Sequence, residues 1–228
     1  GRRIVTNPLM IAVTLALLER LPRLRLIAMR GVHPHVDVAA CTRHGVLFCS
    51  NLSAAGPSIA TAELTLLLML AAARDLLAQN ARLRAGLWQG APGQTLSGRQ
   101  LGLYGYGKIA RQVAIYAKAL GMRVVWWGSD QGRARALAEG EPVAASRQEF
   151  FAQSDVVSLH VRATPQTWGL ISAADLAAMG PGAILVNTSR AALIEPGALL
   201  AAVQAGRPGR VAIDVLDTEP LTDPADAL

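Results

Sequence analysis

The chain has 228 residues, a mass of 24.0 kDa and a formal net charge of +6 at neutral pH. Hydrophobic residues make up 52% of it and charged residues 17%, so it has enough apolar area to offset the entropy of ordering, and an intrinsically disordered chain is excluded. The pI is about 10.1, but the positive charges are mostly arginines scattered singly or in pairs, which disfavours a nucleic-acid-binding protein.

The N-terminal residues carry no convincing targeting or membrane signal. An arginine pair followed by an apolar run in residues 1–18 superficially resembles a secretory signal, but the run continues into Glu19 and Arg20 without a small-residue cleavage site. The apolar stretch 64–73 is about half as long as a bilayer crossing requires. We therefore expect a cytoplasmic protein with no membrane contact.

The two cysteines give no sign of a disulfide framework or of a metal site. Each lies in or beside an apolar stretch, and buried thiols are the expected state of both. No metal ligands are assigned.

The first third of the chain alternates between helical and extended patterns. After a first helix-like segment, the sequence predicts a strand at 24–29, a helix at 35–44 and a strand at 46–49. A long apolar helix is predicted from Ser58, its N-cap, to about Leu83. This helix is expected to divide two domains.

From residue 99 onward the alternation of strands and helices becomes regular. Strands are predicted at 101–104, 123–127, 156–160, 183–187 and 211–215, and helices at 108–120, 133–139, 172–179 and 196–205. This rhythm predicts an α/β fold with a doubly wound parallel sheet. The predicted organisation is a partial substrate domain (1–85), a linker (86–98) and a nucleotide-binding domain (99–228).

A glycine motif follows the first strand of the second domain. Gly105, Tyr106, Gly107, Lys108, Ile109 and Ala110 form G-x-G-x-x-A between a predicted strand and a predicted helix, the context that a dinucleotide-binding motif requires. Gly105 permits a tight turn, Gly107 lets backbone N–H groups approach a pyrophosphate, and Ala110 lets the helix pack on the sheet. The helix N-terminus is expected to hold the phosphates of NAD or NADP.

The end of the second strand indicates which dinucleotide is bound. An Asp or Glu usually binds the adenosine ribose there, but the expected position carries Gly128, followed by Ser129, and Asp130 lies slightly further along. Arg133 and Arg135 come shortly afterwards. The missing acid, the Ser129 hydroxyl and the arginines modestly favour NADP over NAD, although both arginines are also typical of an exposed helix surface.

Four further segments carry a family resemblance. They are 61–64 (Thr-Ala-Glu-Leu), 187–190 (Asn-Thr-Ser-Arg), 214–215 (Asp-Val) and 219–220 (Glu-Pro). With the glycine motif, in this order and spacing, the chain resembles the D-isomer-specific 2-hydroxyacid dehydrogenases, including glyoxylate and hydroxypyruvate reductases and phosphoglycerate dehydrogenases. The resemblance covers about Leu24 to Pro220 and implies a Rossmann domain with a partial flavodoxin-like substrate domain.

The resemblance also implies roles for individual residues. Arg190 would hold the substrate carboxylate and polarise its 2-oxo group, and Glu219 would pair with a catalytic histidine. Asp214 would bind the nicotinamide carboxamide, and Thr188 and Ser189 would line the same pocket. Val161 would also contact the cofactor, and Gly31 would offer backbone N–H groups to the substrate.

The histidine of the family follows its Glu-Pro element, and none of the four histidines of this chain takes that position. His160, at a strand end that the family uses for cofactor contacts, is expected to line the pocket rather than to act as the acid. Because the chain also begins with Gly1 instead of Met, it is expected to be truncated at both ends.

Two classes of function remain open from the sequence. One is an oxidoreductase that transfers a hydride between NAD(P)H and a small 2-oxo or 2-hydroxy acid. The other is a cofactor-binding protein without turnover, similar to the co-repressors of the same family. Formate or phosphite oxidation would differ in first-domain residues, and the resemblance further implies a homodimer formed through the nucleotide-binding domain and the long helix.

Overall fold

The structure is a computed structural model that describes residues 2–6, 12–29, 35–50, 59–88 and 90–219. Contacts divide the chain into two compact units, Gly1–Gly56 and Pro57–Leu228. Each unit contains its own parallel sheet. The predicted substrate domain reaches residue 85, whereas the contacts group the long helical segment with the second unit. The functional boundary between the domains stays a prediction.

The first unit is a small parallel sheet with strand order β1-β2-β3. Its elements in chain order are β1 (Arg2–Thr6), α1 (Leu15–Glu19), β2 (Leu24–Met29), α2 (Val38–Arg43) and β3 (Leu47–Ser50). Helix α2 begins where Asp37 Oδ1 accepts a hydrogen bond from the Ala40 amide at 2.8 Å, an N-cap. The predicted strand at 24–29 is confirmed, whereas β1 lies in the segment that the sequence predicts to be helix-like.

The expectation of two buried thiols is correct for Cys41 and wrong for Cys49. Cys41 lies on α2 and is fully buried, but Cys49 is exposed. Strand β3 is the last strand of its sheet, and its residues alternate between exposed and half-buried positions. Because successive side chains of a strand point to opposite faces, Cys49 falls on the open face.

The long helix predicted in the second unit is two helices, α3 (Ile59–Ala73) and α4 (Leu76–Arg84). Asp75 separates them in a left-handed conformation, with φ of 49°. Its carboxylate accepts two hydrogen bonds of 2.9 Å from the Arg210 guanidinium. Apolar periodicity does not reveal such a break, because Asp tolerates this conformation and the partner is distant in sequence.

The remaining elements build a parallel sheet of five strands. The strands are β4 (Gln100–Tyr104), β5 (Arg123–Trp127), β6 (Val156–Leu159), β7 (Ile184–Asn187) and β8 (Arg210–Ile213). The helices are α5 (Lys108–Ala119), α6 (Asp130–Ala138), α7 (Arg147–Gln153), α8 (Ala173–Ala178) and α9 (Ala198–Ala205), with a 3-10 helix η1 (Ala191–Leu193). The sequence predicts all of these strands and four of the helices, but not α7 or η1.

The strand order identifies the type of sheet. It is β5-β4-β6-β7-β8, and all neighbours are parallel. An isolated parallel bridge joins Trp126 of β5 to Val143, with backbone hydrogen bonds from Trp126 to Pro142 and from Ala144 to Trp126. Counting Val143 as a rudimentary third strand, the order becomes 3-2-1-4-5-6, that of the Rossmann fold.

The sheet is covered on both faces, as a doubly wound fold requires. One apolar cluster contains buried residues of α3, α5 and α6, and a second contains buried residues of α7, α8 and α9. Helix α5 buries Ala110, Val113, Ala114 and Ala117, the spacing of a single helical face. Strands β6 and β7 are buried along their whole length, as expected for central parallel strands.

Candidate functional site

The predicted site residues of the second unit follow the carboxyl ends of its five parallel strands. The last residues of the strands are in register across the sheet: Trp127 with Tyr104, Tyr104 with Leu159, Leu159 with Asn187, and Asn187 with Ile213. The loops that follow therefore begin at one edge. In open α/β sheets, ligands bind outside this edge, at the point where the strand order reverses. Here that point lies between β4 and β6.

The glycine motif forms a tight turn between β4 and α5. Gly105 has a φ of 109°, and a Cβ at this position would lie 2.5 Å from the His160 carbonyl oxygen. Its amide donates to the Trp127 carbonyl at 2.8 Å. Only glycine combines this conformation with such a close approach.

Gly107 has space above it, whereas Gly105 does not. Among the described residues, a Cβ at Gly107 would have one neighbour within 4 Å, the His160 carbonyl oxygen at 4.0 Å. Gly107 is the N-cap of α5, and no side chain caps the helix from this position. The open space at a helix N-terminus fits the pyrophosphate of a dinucleotide, which such N-termini bind through backbone N–H groups and the helix dipole. Ala110 is fully buried behind the turn.

Two other residues of the motif differ in accessibility. The Tyr106 side chain is buried, with its ring 4.6 Å from the Trp126 ring and its hydroxyl donating to Glu139 at 2.8 Å. Only its backbone faces the turn, so its side chain contributes packing. Lys108 is exposed in the first turn of α5, and Ile109 is half-buried against the first apolar cluster.

The end of β5 carries the groups that would face the adenosine ribose. Gly128 has a φ of 148°, and the exposed Ser129 caps α6 by accepting a hydrogen bond from the Gly132 amide at 3.2 Å. Arg133 donates to the Gly128 carbonyl at 3.2 Å and lies over the Trp127 ring at 4.2 Å. Arg135 donates to the Tyr106 carbonyl at 3.2 Å. Both arginines are thus held at the carboxyl edge.

His160 follows β6 beside the glycine turn. Its Nε2 lies 2.9 Å from the Ser158 hydroxyl, and its amide donates to the Tyr104 carbonyl. The residue is half-buried, and desolvation of the ring lowers the pKa of His160 to about 4. The imidazole is therefore neutral at pH 7. The next residue, Val161, is half-buried, and its Cγ2 would lie 3.1 Å from a Cβ at Gly105.

Polar contacts hold the loop after β7 at both ends. Asn187 Oδ1 accepts from the Ser189 amide at 3.0 Å, and Asn187 Nδ2 donates to the Arg190 carbonyl at 2.9 Å. Ser189 Oγ donates to the Leu159 carbonyl at 2.8 Å, and Thr188 Oγ1 lies 2.8 Å from Thr65 Oγ1. Sequence reasoning assigned no role to Asn187 or Thr65, and no sequence signal marks Thr65, because its partner is 123 positions away.

The Arg190 guanidinium is exposed at the edge of the sheet. It donates to the Ser189 carbonyl at 2.6 Å. Across the described ranges, no carboxylate lies within ion-pair distance of it. An exposed, planar guanidinium without a carboxylate partner among the described residues is suited to bidentate binding of a ligand carboxylate.

The charges of Glu219 and Arg190 both influence the pKa of Asp214. Partial burial raises the pKa of Asp214, the negative charge of Glu219 raises it further, and the positive charge of Arg190 opposes both effects. The Asp214 amide donates to the Asn187 carbonyl at 3.3 Å, and Glu219 Oε1 accepts from the Leu216 amide at 3.0 Å. The charges of Glu219 and Arg190 thus act on Asp214 in opposite directions at this end of the sheet.

Other predicted features have simpler outcomes. Gly31 and Pro220 lie outside the described residues. Of the residues that the structure describes, no three His, Cys, Asp or Glu side chains are grouped so that they could hold a metal ion. None of the helices in the described ranges is long and apolar enough to cross a membrane.

Comparisons with known proteins agree with this geometry. Residues 66–228 match the family of the D-isomer specific 2-hydroxyacid dehydrogenase NAD binding domain. Over 220 residues the chain is 32% identical to a glyoxylate reductase of Thermococcus litoralis, with 90% of this chain and 64% of that protein covered. Over 214 residues it is 35% identical to a D-3-phosphoglycerate dehydrogenase of Methanocaldococcus jannaschii, covering 92% of this chain and 40% of that protein.

Solved structures show the same likeness. A phosphoglycerate oxidoreductase from Vibrio cholerae O395 superposes with a TM-score of 0.84 at 43% identity, with 93% of this chain and 68% of that chain covered. The chain spans less than two thirds of the length of the two curated relatives above. The glycine turn, the open helix N-terminus and the family match over residues 66–228 together show that this chain belongs to the D-isomer-specific 2-hydroxyacid dehydrogenases, whose NAD-binding domain it contains.

Proposed function

We propose that this chain binds NAD(P)H and takes part in hydride transfer between that cofactor and a small 2-oxo or D-2-hydroxy acid. The observation that carries the proposal is that the segments bearing Arg190 and Asp214 both hydrogen-bond to Asn187, at the edge that also bears the glycine turn. A site for a neutral ligand would not need an exposed guanidinium without an ion-pair partner among the described side chains. The relatives named glyoxylate reductase and D-3-phosphoglycerate dehydrogenase support this class of reaction.

The proposed mechanism assigns a task to each group of the chain. When bound, the nicotinamide supplies or accepts the hydride. The α5 N-terminus and the Gly107 backbone hold the pyrophosphate, and Asp214, Thr188 and Ser189 line the nicotinamide pocket. The Arg190 guanidinium binds the substrate carboxylate and stabilises the negative charge that develops on the 2-oxo oxygen.

The proton transfer requires a group other than His160. A general acid should be protonated near the working pH, and the pKa of about 4 leaves His160 neutral. We propose that Glu219 is the carboxylate that would keep a catalytic histidine protonated, as the family resemblance implies, because a nearby carboxylate raises the pKa of an imidazole. In this proposal Val161 and His160 line the cofactor pocket.

We further propose that the cofactor is NADPH rather than NADH. The proposal is supported by Arg133, Arg135 and the Ser129 hydroxyl, which lie beside the end of β5, where the ribose-binding acid is missing, and could bind a 2'-phosphate. Arg133 also pairs with Asp130 at 2.6 Å, but that carboxylate is almost fully exposed, and such a pair contributes little stability. Arg133 can therefore exchange it for a phosphate.

We also propose a homodimer formed through α3, α4 and the segment after them. Large apolar side chains on these elements are exposed: Leu67, Leu70, Leu76, Leu77, Leu83, Leu87 and Trp88. Exposed apolar patches of this kind mark protein interfaces. Light scattering at micromolar concentration should give twice the 24.0 kDa chain mass, and a monomer would contradict the proposal.

Turnover and binding together test the proposed function. The loss of reduced-nicotinamide absorbance is followed with NADPH and then NADH, against glyoxylate, hydroxypyruvate and pyruvate, and cofactor affinity is measured in parallel by fluorescence. Arg190→Lys tests the guanidinium itself, because it keeps the positive charge but loses the planar fork. It should lower kcat/KM by about 100-fold or more. Cofactor binding without turnover would favour the alternative of a cofactor-binding chain that is not itself catalytic. Absence of cofactor binding would refute both.

A further inference from the structure

A buried pair of threonines connects helix α3 to the loop that carries Arg190. Thr65 lies on α3 and is fully buried, and Thr188 follows β7 and is 8% exposed. Their hydroxyl oxygens are 2.8 Å apart. A buried hydroxyl is costly unless it is hydrogen-bonded, so the pair determines how closely the loop approaches the helix.

The direction of the protons in this pair follows from a third group. Thr65 Oγ1 also lies 2.8 Å from the Thr61 carbonyl oxygen, and a carbonyl oxygen can only accept. Thr65 has a single hydroxyl proton, which is therefore donated to Thr61. It follows that Thr188 donates its own proton to Thr65. The Thr188 hydroxyl can offer only lone pairs to any other group.

This chain of hydrogen bonds is the third anchor of the loop. Ser189 is tied to β6 through the Leu159 carbonyl, and the Arg190 carbonyl is tied to Asn187. The Thr188 contact connects the loop to α3 as well. Ala62 and Met69, which neighbour Thr65 on this helix, belong to the first apolar cluster. The backbone that precedes Arg190 is thus held from a helix, a neighbouring strand and its own strand end.

We infer that Thr65 is a positioning residue, whose hydroxyl sets the place of Arg190 through Thr188. The inference rests on the proposed function, because a position of Arg190 matters only if its guanidinium binds a substrate carboxylate. It gives Thr188 a role in addition to lining the nicotinamide pocket. Binding sites need supporting residues that hold the ligand-binding side chains in place. In this inference, Thr65 supports the loop that carries Arg190.

Valine substitutions separate a positioning role from a stability role. Thr65→Val leaves the Thr188 proton without an acceptor, which destabilises the protein. In the double variant Thr65→Val/Thr188→Val no polar group is left unpaired, and stability should largely recover. Two methyl carbons, however, pack at about 3.5–4.0 Å, so the loop should lie about 1 Å farther from α3 than the 2.8 Å hydroxyl contact allows.

The test uses the whole chain with NADPH bound, and oxalate as an unreactive probe for the carboxylate site. Thr65→Val should weaken oxalate binding about 10-fold and NADPH binding by a smaller factor, because the proposed pyrophosphate site at the glycine turn keeps its contacts. Hydrogen exchange of the Ser189 amide, which donates to Asn187 Oδ1, should become faster. Thr65→Ser keeps the hydroxyl and should restore most of the oxalate affinity.

The double variant gives the decisive readout. The inference predicts recovered stability with oxalate affinity still about 10-fold weak, since a displacement of about 1 Å in a binding group has large effects. Recovery of oxalate affinity together with stability would overturn it, as would unchanged Ser189 exchange in Thr65→Val. If the unmodified chain binds NADPH but no oxalate, the proposed function fails instead. The exchange rates then still decide whether Thr65 orders the loop.

Discussion

The two halves of the carboxyl edge are built in different ways. The glycine half, residues 105–110 and 128–135, forms its cradle from backbone groups and close packing. The charged half, residues 187–190 and 214–219, presents Arg190 on the loop after β7, which distant side chains hold in place, and Asp214 and Glu219 on the segment after β8. A site that binds its ligand through backbone groups tolerates changes in exposed side chains but not an added Cβ. A site that binds through side chains depends on the contacts that hold those side chains in place.

The largest effect should come from Gly105→Ala in the glycine half. A φ of 109° and an oxygen 2.5 Å from the new Cβ should reduce the free energy of unfolding by about 3 kcal/mol. Gly107→Ala is the matched control. Because its Cβ meets only open space, stability should change by less than about 1 kcal/mol, while NAD(P)H affinity falls. Urea unfolding and cofactor titration measure the two quantities, and equal stability of both variants would contradict the assignment.

His160, between the two halves, should make stability depend on pH. Its folded pKa of about 4 lies below the unfolded value of about 6.5, so the unfolded chain takes up a proton first as pH falls. This stability is complete above about pH 6.5 and is lost towards pH 4, by about 2 kcal/mol at pH 5. His160→Gln should remove that part of the pH dependence in urea unfolding at pH 5 and pH 7.5. NMR of the imidazole should show a mostly neutral ring down to pH 5.

An acid introduced at the end of β5 should change the choice of dinucleotide. Ser129→Asp keeps a good N-cap for α6 and places a negative charge where the 2'-phosphate of NADPH would bind. NADPH affinity should fall about 10-fold, and NADH affinity should hold or rise. Ser129→Asn supplies an uncharged cap of the same shape as Asp and should change the ratio of NADPH to NADH affinity much less than Ser129→Asp does. Equal NADPH affinity in both variants would argue against a phosphate site at Arg133 and Arg135.

The smallest effect should come from the ion pair between Asp75 and Arg210. Arg210 is the first residue of β8, the strand that leads to Asp214. Arg210 lowers the pKa of the Asp75 carboxyl, so the stabilisation is present above about pH 4 and is lost as pH falls through the lowered folded value. Asp75→Asn keeps a residue that tolerates the left-handed backbone and should cost about 1 kcal/mol at pH 7. Thermal unfolding at pH 7 and pH 3 should show the difference shrinking in acid.

The residues that the sequence could identify are those whose chemistry is local. Gly105 and Gly107 are recognisable because their turn joins a strand and a helix that are adjacent in sequence. Arg190 is recognisable because it follows a strand end within a family motif. Thr65 and the break at Asp75 were missed, since their partners Thr188 and Arg210 are more than a hundred positions away.

Local pattern by itself determined the strands and most helices of the second unit, the glycine turn and the family of the protein. Periodicity and turn chemistry are written in neighbouring residues, and they need no knowledge of the rest of the chain. The tertiary structure alone decided that Tyr106 is buried, that His160 is neutral and that α3 holds the loop of Arg190. Burial, desolvation and hydrogen bonds between distant residues exist only once the sheet has brought its strand ends together.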